Sequence, residues 1–171
     1  MIRLKNSIMA GLAILAASSP PLSAQVPPDW LKVDTASHAV SVTLETTASP
    51  DSGSALINGH RAGAIQLVVP LGWTVRWSWR NGDPAANHSL VIMAEREKLP
   101  LEGGRPALDN ALSRMVTAGL KPGQTDETTF TADAAGWYWL LCGVPNHALK
   151  GEWISFKVDR EATGPSVVGK R

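Results

Sequence analysis

A single cysteine, Cys142, occurs in 171 residues, and His147 follows it five positions later in the stretch Cys142-Gly143-Val144-Pro145-Asn146-His147. A thiolate and an imidazole at that spacing can meet at one metal ion if the loop folds over, and Gly143 and Pro145 shape and stiffen such a loop. A second imidazole must come from a distant point in the chain. His88 qualifies, because it opens an apolar stretch (HSLVIMA, residues 88–94) just after a turn-rich segment. Two imidazoles and one thiolate, with a weak axial ligand, form the donor set of a one-electron copper site. The soft thiolate suits Cu(I), and imidazole suits both oxidation states. The competing reading of a lone thiol is a buried, inert side chain.

The start of the chain bears on that choice. Arg3 and Lys5 make it basic, Ile8 to Ala17 is a short apolar run, and Leu22-Ser23-Ala24 offers a small residue for cleavage. This order predicts a secretory signal over residues 1–24 and a periplasmic or otherwise exported protein; a retained anchor is the alternative. In an oxidising compartment an unpaired thiol is open to oxidation and mispairing unless something shields it. Without Arg3 and Lys5 the remainder carries 14 basic against 15 acidic side chains, a net charge of −1. So balanced a body has no basic stripe for phosphates, which argues against a nucleic-acid partner. No Gly-rich phosphate loop joins a strand to a helix.

The elements that must position these residues read as β. Residues 25–37 form a lead-in with two prolines. Residues 38–48, 64–69 and 73–80 follow as strands, and Trp73, Val75, Trp77 and Trp79 alternate onto one face. Residues 88–94, 125–131, 136–141 and 152–158 continue the series, separated by turn formers such as Asn81-Gly82-Asp83-Pro84 and Lys121-Pro122-Gly123-Gln124. Residues 95–113 break the rhythm and predict a surface insertion, with one or two helical turns over 107–114. Residues 159–171 read as a polar, frayed tail. The fold class is all-β, a Greek-key sandwich of seven to eight strands with a short, partly helical insertion and its domain over residues 38–158.

On these residues the chain resembles the cupredoxin superfamily, and within it the sulfocyanin-type proteins. The first-histidine element stands as Asn87-His88-Ser89-Leu90. The cysteine and second-histidine element stands as Gly136-Trp137-Tyr138-Trp139-Leu140-Leu141-Cys142-Gly143-Val144-Pro145-Asn146-His147. The turn Leu120-Lys121-Pro122-Gly123 matches a further family element, and Gly151-Glu152-Trp153 favours the sulfocyanin-like branch. The resemblance spans roughly residues 38–158. It implies one copper ion on His88, Cys142 and His147. It also exposes a departure: the position of the family's axial methionine is Glu152. A carboxylate oxygen there stabilises Cu(II) over Cu(I) and lowers the reduction potential. The alternative turns Glu152 to solvent, with Met93 or Met115 as fallback axial donors.

The resemblance further implies a monomeric electron carrier, not an enzyme, that serves respiratory redox proteins and needs no small-molecule substrate. It makes His147 the exposed edge, with Ala148 and Leu149 in an apolar rim. The alternative is a periplasmic copper-binding protein for delivery or tolerance, against which stands the lack of a Met-rich or His-rich tract. His38 and His60 have no cysteine or histidine close by and read as surface residues. Trp137 and Trp139 read as sandwich core, and Asn87 as a residue that ties the His88 segment to the Cys142 loop.

Overall fold

The computed structural model describes residues 27–51 and 53–169; the expected signal over residues 1–24 lies outside them. Ten strands form among the described residues: β1 (Leu31–Asp34), β2 (Ala39–Ala48), β3 (Ala55–Ile57), β4 (Ile65–Pro70), β5 (Thr74–Asn81), β6 (Val91–Ala94), β7 (Thr125–Thr131), β8 (Gly136–Leu141), β9 (Trp153–Asp159) and β10 (Ser166–Gly169). They build two five-stranded sheets, one in the order β1-β2-β5-β7 with β3 also on β2, the other in the order β10-β4-β9-β8-β6. β2 and β5 run parallel, as do β4 and β9, and the other pairs are antiparallel. From β4 to β8 the chain changes sheet at every connection, the crossing of a Greek-key sandwich.

Alternation along each strand makes the core. Trp73, Val75, Trp77 and Trp79 turn inward from one sheet and meet Ile154, Phe156 and Val158 of β9 and Tyr138 and Leu140 of β8 from the other. The indole N–H of buried Trp79 donates to Thr46 Oγ1 (3.1 Å), so its burial leaves no donor unmet.

Four expectations need correction. The lead-in contains edge strand β1, which buries only Leu31, and an edge strand open on most of its length shows no alternation to read. The polar tail contains β10, which pairs antiparallel with β4. The 107–114 segment is not helical. Its backbone bonds to β6 instead (Ala107 N–H to Ile92 O, 2.8 Å; Ile92 N–H to Ala111 O, 2.9 Å), and Asn110 sits at φ 64, outside helical geometry. The segment buries Leu108 and Ala111 and so covers an otherwise open sheet edge. The only helical element among the described residues is the 3-10 turn Ala148–Lys150. Finally, the core face of β8 carries Tyr138 and Leu140. Trp139 packs on the sheet's outer face with Val91, Leu141 and Ala148, and Trp137 is exposed with the Lys157 ammonium 4.9 Å from its ring centroid.

Candidate metal centre

Strand register sets half of the site. The Cys142 amide donates to the Glu152 carbonyl (3.0 Å), one rung beyond the Leu141–Trp153 pair of β8 and β9. Residues opposite each other in a ladder share a face, so Glu152 stands beside Cys142 without help from the loop between them. That loop returns through the 3-10 turn, with His147 at its start and Gly151 at φ 100 after it. The amides of Lys150 and Glu152 both bond to the His147 carbonyl (3.1 and 3.2 Å), which fixes where this imidazole leaves the backbone.

His88 arrives from the far side of the sheet edge. Residues 88–90 lie outside β6 because their backbone is engaged elsewhere: His88 and Leu120 exchange both hydrogen bonds (3.2 and 2.7 Å), and Leu90 N–H donates to Ser113 Oγ (2.9 Å). Ser89 joins this segment to the cysteine loop. Its amide donates to Cys142 Sγ (3.4 Å), and its hydroxyl oxygen accepts from the Gly143 amide (2.9 Å) while donating to Val116 O (2.5 Å). Asn87 bonds to Ala118 O instead, so the tie expected of Asn87 is made by its second neighbour.

The result is a compact donor set. His88 Nδ1, Cys142 Sγ, His147 Nδ1 and a Glu152 carboxylate oxygen all lie within 4.8 Å of one another. Sγ is 3.9 Å from His88 Nδ1 and 3.5 Å from His147 Nδ1, and the two nitrogens are 3.2 Å apart. Three donors about 2.0–2.3 Å from one ion in their plane stand roughly 3.4–4.0 Å apart, close to this triangle. The carboxylate caps it: Oε1 is 2.8 Å from His88 Nδ1, and Oε2 is 3.1 Å from His147 Nδ1. Met93 packs instead against the outer-face cluster around Trp139, and Met115 is exposed. His38 stacks near Trp73, and His60 sits in the turn after β3; neither joins the group.

Electrostatics asks for a cation here. Cys142 and Glu152 are essentially inaccessible, His88 nearly so, and His147 keeps an exposed edge of 20 %. Burial, and after it the negative charge of Glu152, pushes the Cys142 thiol up. Burial pulls His88 the other way, but hydrogen bonds and charges from Glu152 and Asp83 outweigh it and leave His88 raised. His88 Nδ1 is hydrogen-bonded to Glu152 Oε2 (2.9 Å), and Oε1, although 2.8 Å from the same nitrogen, has no hydrogen bond of its own. An orphaned, buried carboxylate oxygen beside a thiol is costly in a metal-free protein. A thiophilic ion bound by these donors would neutralise the carboxylate and displace the thiol proton. The residues present therefore fit copper.

Asp83 is a residue that sequence reasoning missed. Its Oδ2 lies 3.0 Å from His88 Nε2, and its Oδ1 accepts from the Ala85 amide (2.7 Å). It reads in sequence as part of the Asn-Gly-Asp-Pro turn; its spacing of five from a candidate ligand was the available signal. Gly143 was seen as a loop former, and packing adds a stricter reason. A Cβ there would stand 2.8 Å from Val116 O and 3.1 Å from Gly103 Cα. We expect Gly143→Ala to cost about 1–3 kcal/mol by overpacking, read as a lower denaturation midpoint of the metal-free protein.

The family model of the sulfocyanin (SoxE) domain matches residues 28–169. Sulfocyanin of Sulfolobus acidocaldarius is 25% identical over 137 residues, covering 75% of this chain and 68% of that protein. Among solved structures, a multicopper oxidase superposes with a TM-score of 0.51 at 19% identity, over 72% of this chain and 44% of the oxidase. This likeness concerns the fold alone. A rusticyanin from Thiobacillus ferrooxidans gives a TM-score of 0.46 at 25% identity, over 77% of this chain and 87% of that one.

Proposed function

Because this chain belongs to the sulfocyanin family of cupredoxins, copper proteins of the electron-carrier type, we propose that it is an exported one-electron carrier in which His88, Cys142, His147 and Glu152 hold one copper ion. The observation that carries this reading is the convergence of those four donors, drawn from three separate segments, within 4.8 Å. Copper held there supplies a one-electron couple. The chain's own part is to keep the donors in place whichever charge the metal carries. Cys142 and Glu152 sit on adjacent strand ends joined by a ladder bond, and Ser89 locks the His88 segment to the Cys142 loop. A donor set held this firmly moves little on electron transfer.

The exposed edge of His147 is the path for the electron, and Leu149, exposed at 53 %, lies two residues beyond it as an apolar contact for a redox partner. We assign that partner to the respiratory redox proteins of the same compartment and take the carrier to be a monomer. The described residues contain no helix long and apolar enough to cross a membrane. Residues 1–24 are assigned as the export signal on their order of basic, apolar and small residues.

The test is direct. Residues 25–171 titrated with Cu(II) should develop an intense thiolate-to-copper band that saturates at one ion per chain and disappears on reduction. Cys142→Ser should remove the band entirely. A protein that binds Cu(II) without that band, or keeps it in Cys142→Ser, is not the carrier described here.

A further inference from the structure

Between the end of β2 and the 83–88 segment lies a cleft of about 290 Å³, lined by Ala48, Ala55, Ala85 and Ala86 on its walls and by Asp83, His88, His147 and Glu152 at the metal centre. Three of the four proposed copper donors therefore face one solvent-connected space, although His88 and Glu152 are almost wholly buried. The walls are small, alanines together with Ser49 and Ser54, and Lys150 also lines the cleft. The chemistry is gathered at the inner end: two carboxylates, two imidazoles, and a Glu152 oxygen that is buried and has no hydrogen-bond donor.

We propose that this cleft is the loading route for the metal, a site that receives a hydrated divalent cation and passes it to the donor set; the inference rests on the copper assignment above. The geometry favours a cation. Two carboxylates, Asp83 and Glu152, face a single lysine, Lys150, on the lining, and this excess of acidic groups favours cations over anions. A divalent cation that enters such a solvent-connected cleft arrives carrying water. Glu152 Oε1 offers an acceptor to that water and then a ligand to the ion as water is shed. The other approaches to Cys142 are closed by packing: Ser89 and Gly143 cover the sulfur on one side, and the β8–β9 ladder lies on the other.

The route is tested by narrowing it without touching a ligand. Ala48 and Ala85 are exposed and line the cleft from two separate segments, so Ala48→Trp and Ala85→Trp place bulk at its solvent side and not in the core. Cu(II) uptake is followed by stopped-flow absorbance of the thiolate band in the full mature chain, and removal is followed with a strong chelator. We expect each variant to load and release copper at least about tenfold more slowly, with the final spectrum and the equilibrium affinity unchanged, since a barrier alters both directions equally. Wild-type rates in both variants would overturn the proposal. Slower uptake with an altered spectrum or affinity would also overturn it, because the substitution would then be acting on the site itself. A wild-type chain that never develops the band would refute the copper assignment, a result distinguishable from either.

Discussion

Replacing Glu152 by methionine should raise the reduction potential of the copper form by on the order of 100–200 mV. The direction follows from charge. A carboxylate held against the metal favours the more positive oxidation state, and a thioether favours Cu(I) by its softness, so both changes act alike. The size follows from Coulomb's law: one unit charge at about 4 Å contributes about 4 kcal/mol at an effective dielectric constant of about 20. About 2.3 kcal/mol corresponds to 100 mV for one electron. Glu152 is 1 % exposed, so solvent screens little of this. The isosteric Glu152→Gln separates charge from donor type: it should carry much of the potential rise and a smaller change of colour. Spectroelectrochemical titration of the three proteins is the measurement. Should the potential and spectrum of both variants match the parent, the carboxylate takes no part in the centre.

The carboxylate at 152 shows how much of the site was legible. Cys142 and His147 lie in one short loop, so their meeting depends on local chain geometry. Glu152 is fixed to them by a ladder that begins in a strongly patterned pair of strands, residues 136–141 and 153–159. From sequence, Glu152 is reached only through the resemblance, as the residue at the family's axial position; the ladder gives the physical reason that it stands beside Cys142. The long-range contacts were harder. Ser89 touches Cys142 across 53 residues, and nothing in its surroundings distinguishes it from Asn87, two positions before, which points away to Ala118. The same limit applies to the fold. The strand at Trp73–Trp79 announces itself because burial on one face demands alternation. β1 and β10 are edge strands with little buried surface, so only a partner strand reveals them. The 107–114 segment carries helix-forming alanine and leucine, but the open edge of β6 supplies hydrogen bonds that local propensity does not anticipate. Trp137 and Trp139 were misassigned because the strand is apolar on both faces, where the outer face packs its own cluster.

Asp83 was hidden for a different reason: its residue type suits a turn so well that a second role leaves no trace. The structure gives that role a measurable consequence. His88 Nε2 lies 3.0 Å from Asp83 Oδ2, and with a metal on Nδ1 it is Nε2 that would carry the proton and donate it to this carboxylate. This bond selects the tautomer that leaves Nδ1 free for metal, and the buried carboxylate makes the imidazole a stronger donor. Asp83 is itself well placed for the task. Its amide donates to Asn81 Oδ1 (3.0 Å), and Asn81 is fully buried and tied to Leu120 O (2.9 Å), the same residue whose backbone pairs with His88. Asp83→Ala should therefore weaken copper binding by roughly 10–100-fold. Asp83→Asn retains an acceptor for Nε2–H and should keep most of the affinity, yet it removes a charge that favours Cu(II) and should raise the potential. That rise should be smaller than for Glu152→Met, because the imidazole ring stands between this carboxylate and the metal. Copper affinity by competition with a chelator, paired with the potential, separates the two effects. If Asn and Ala substitutions lower affinity equally, orientation of His88 does not depend on this bond, and the His88 ring is held by Glu152 and packing alone.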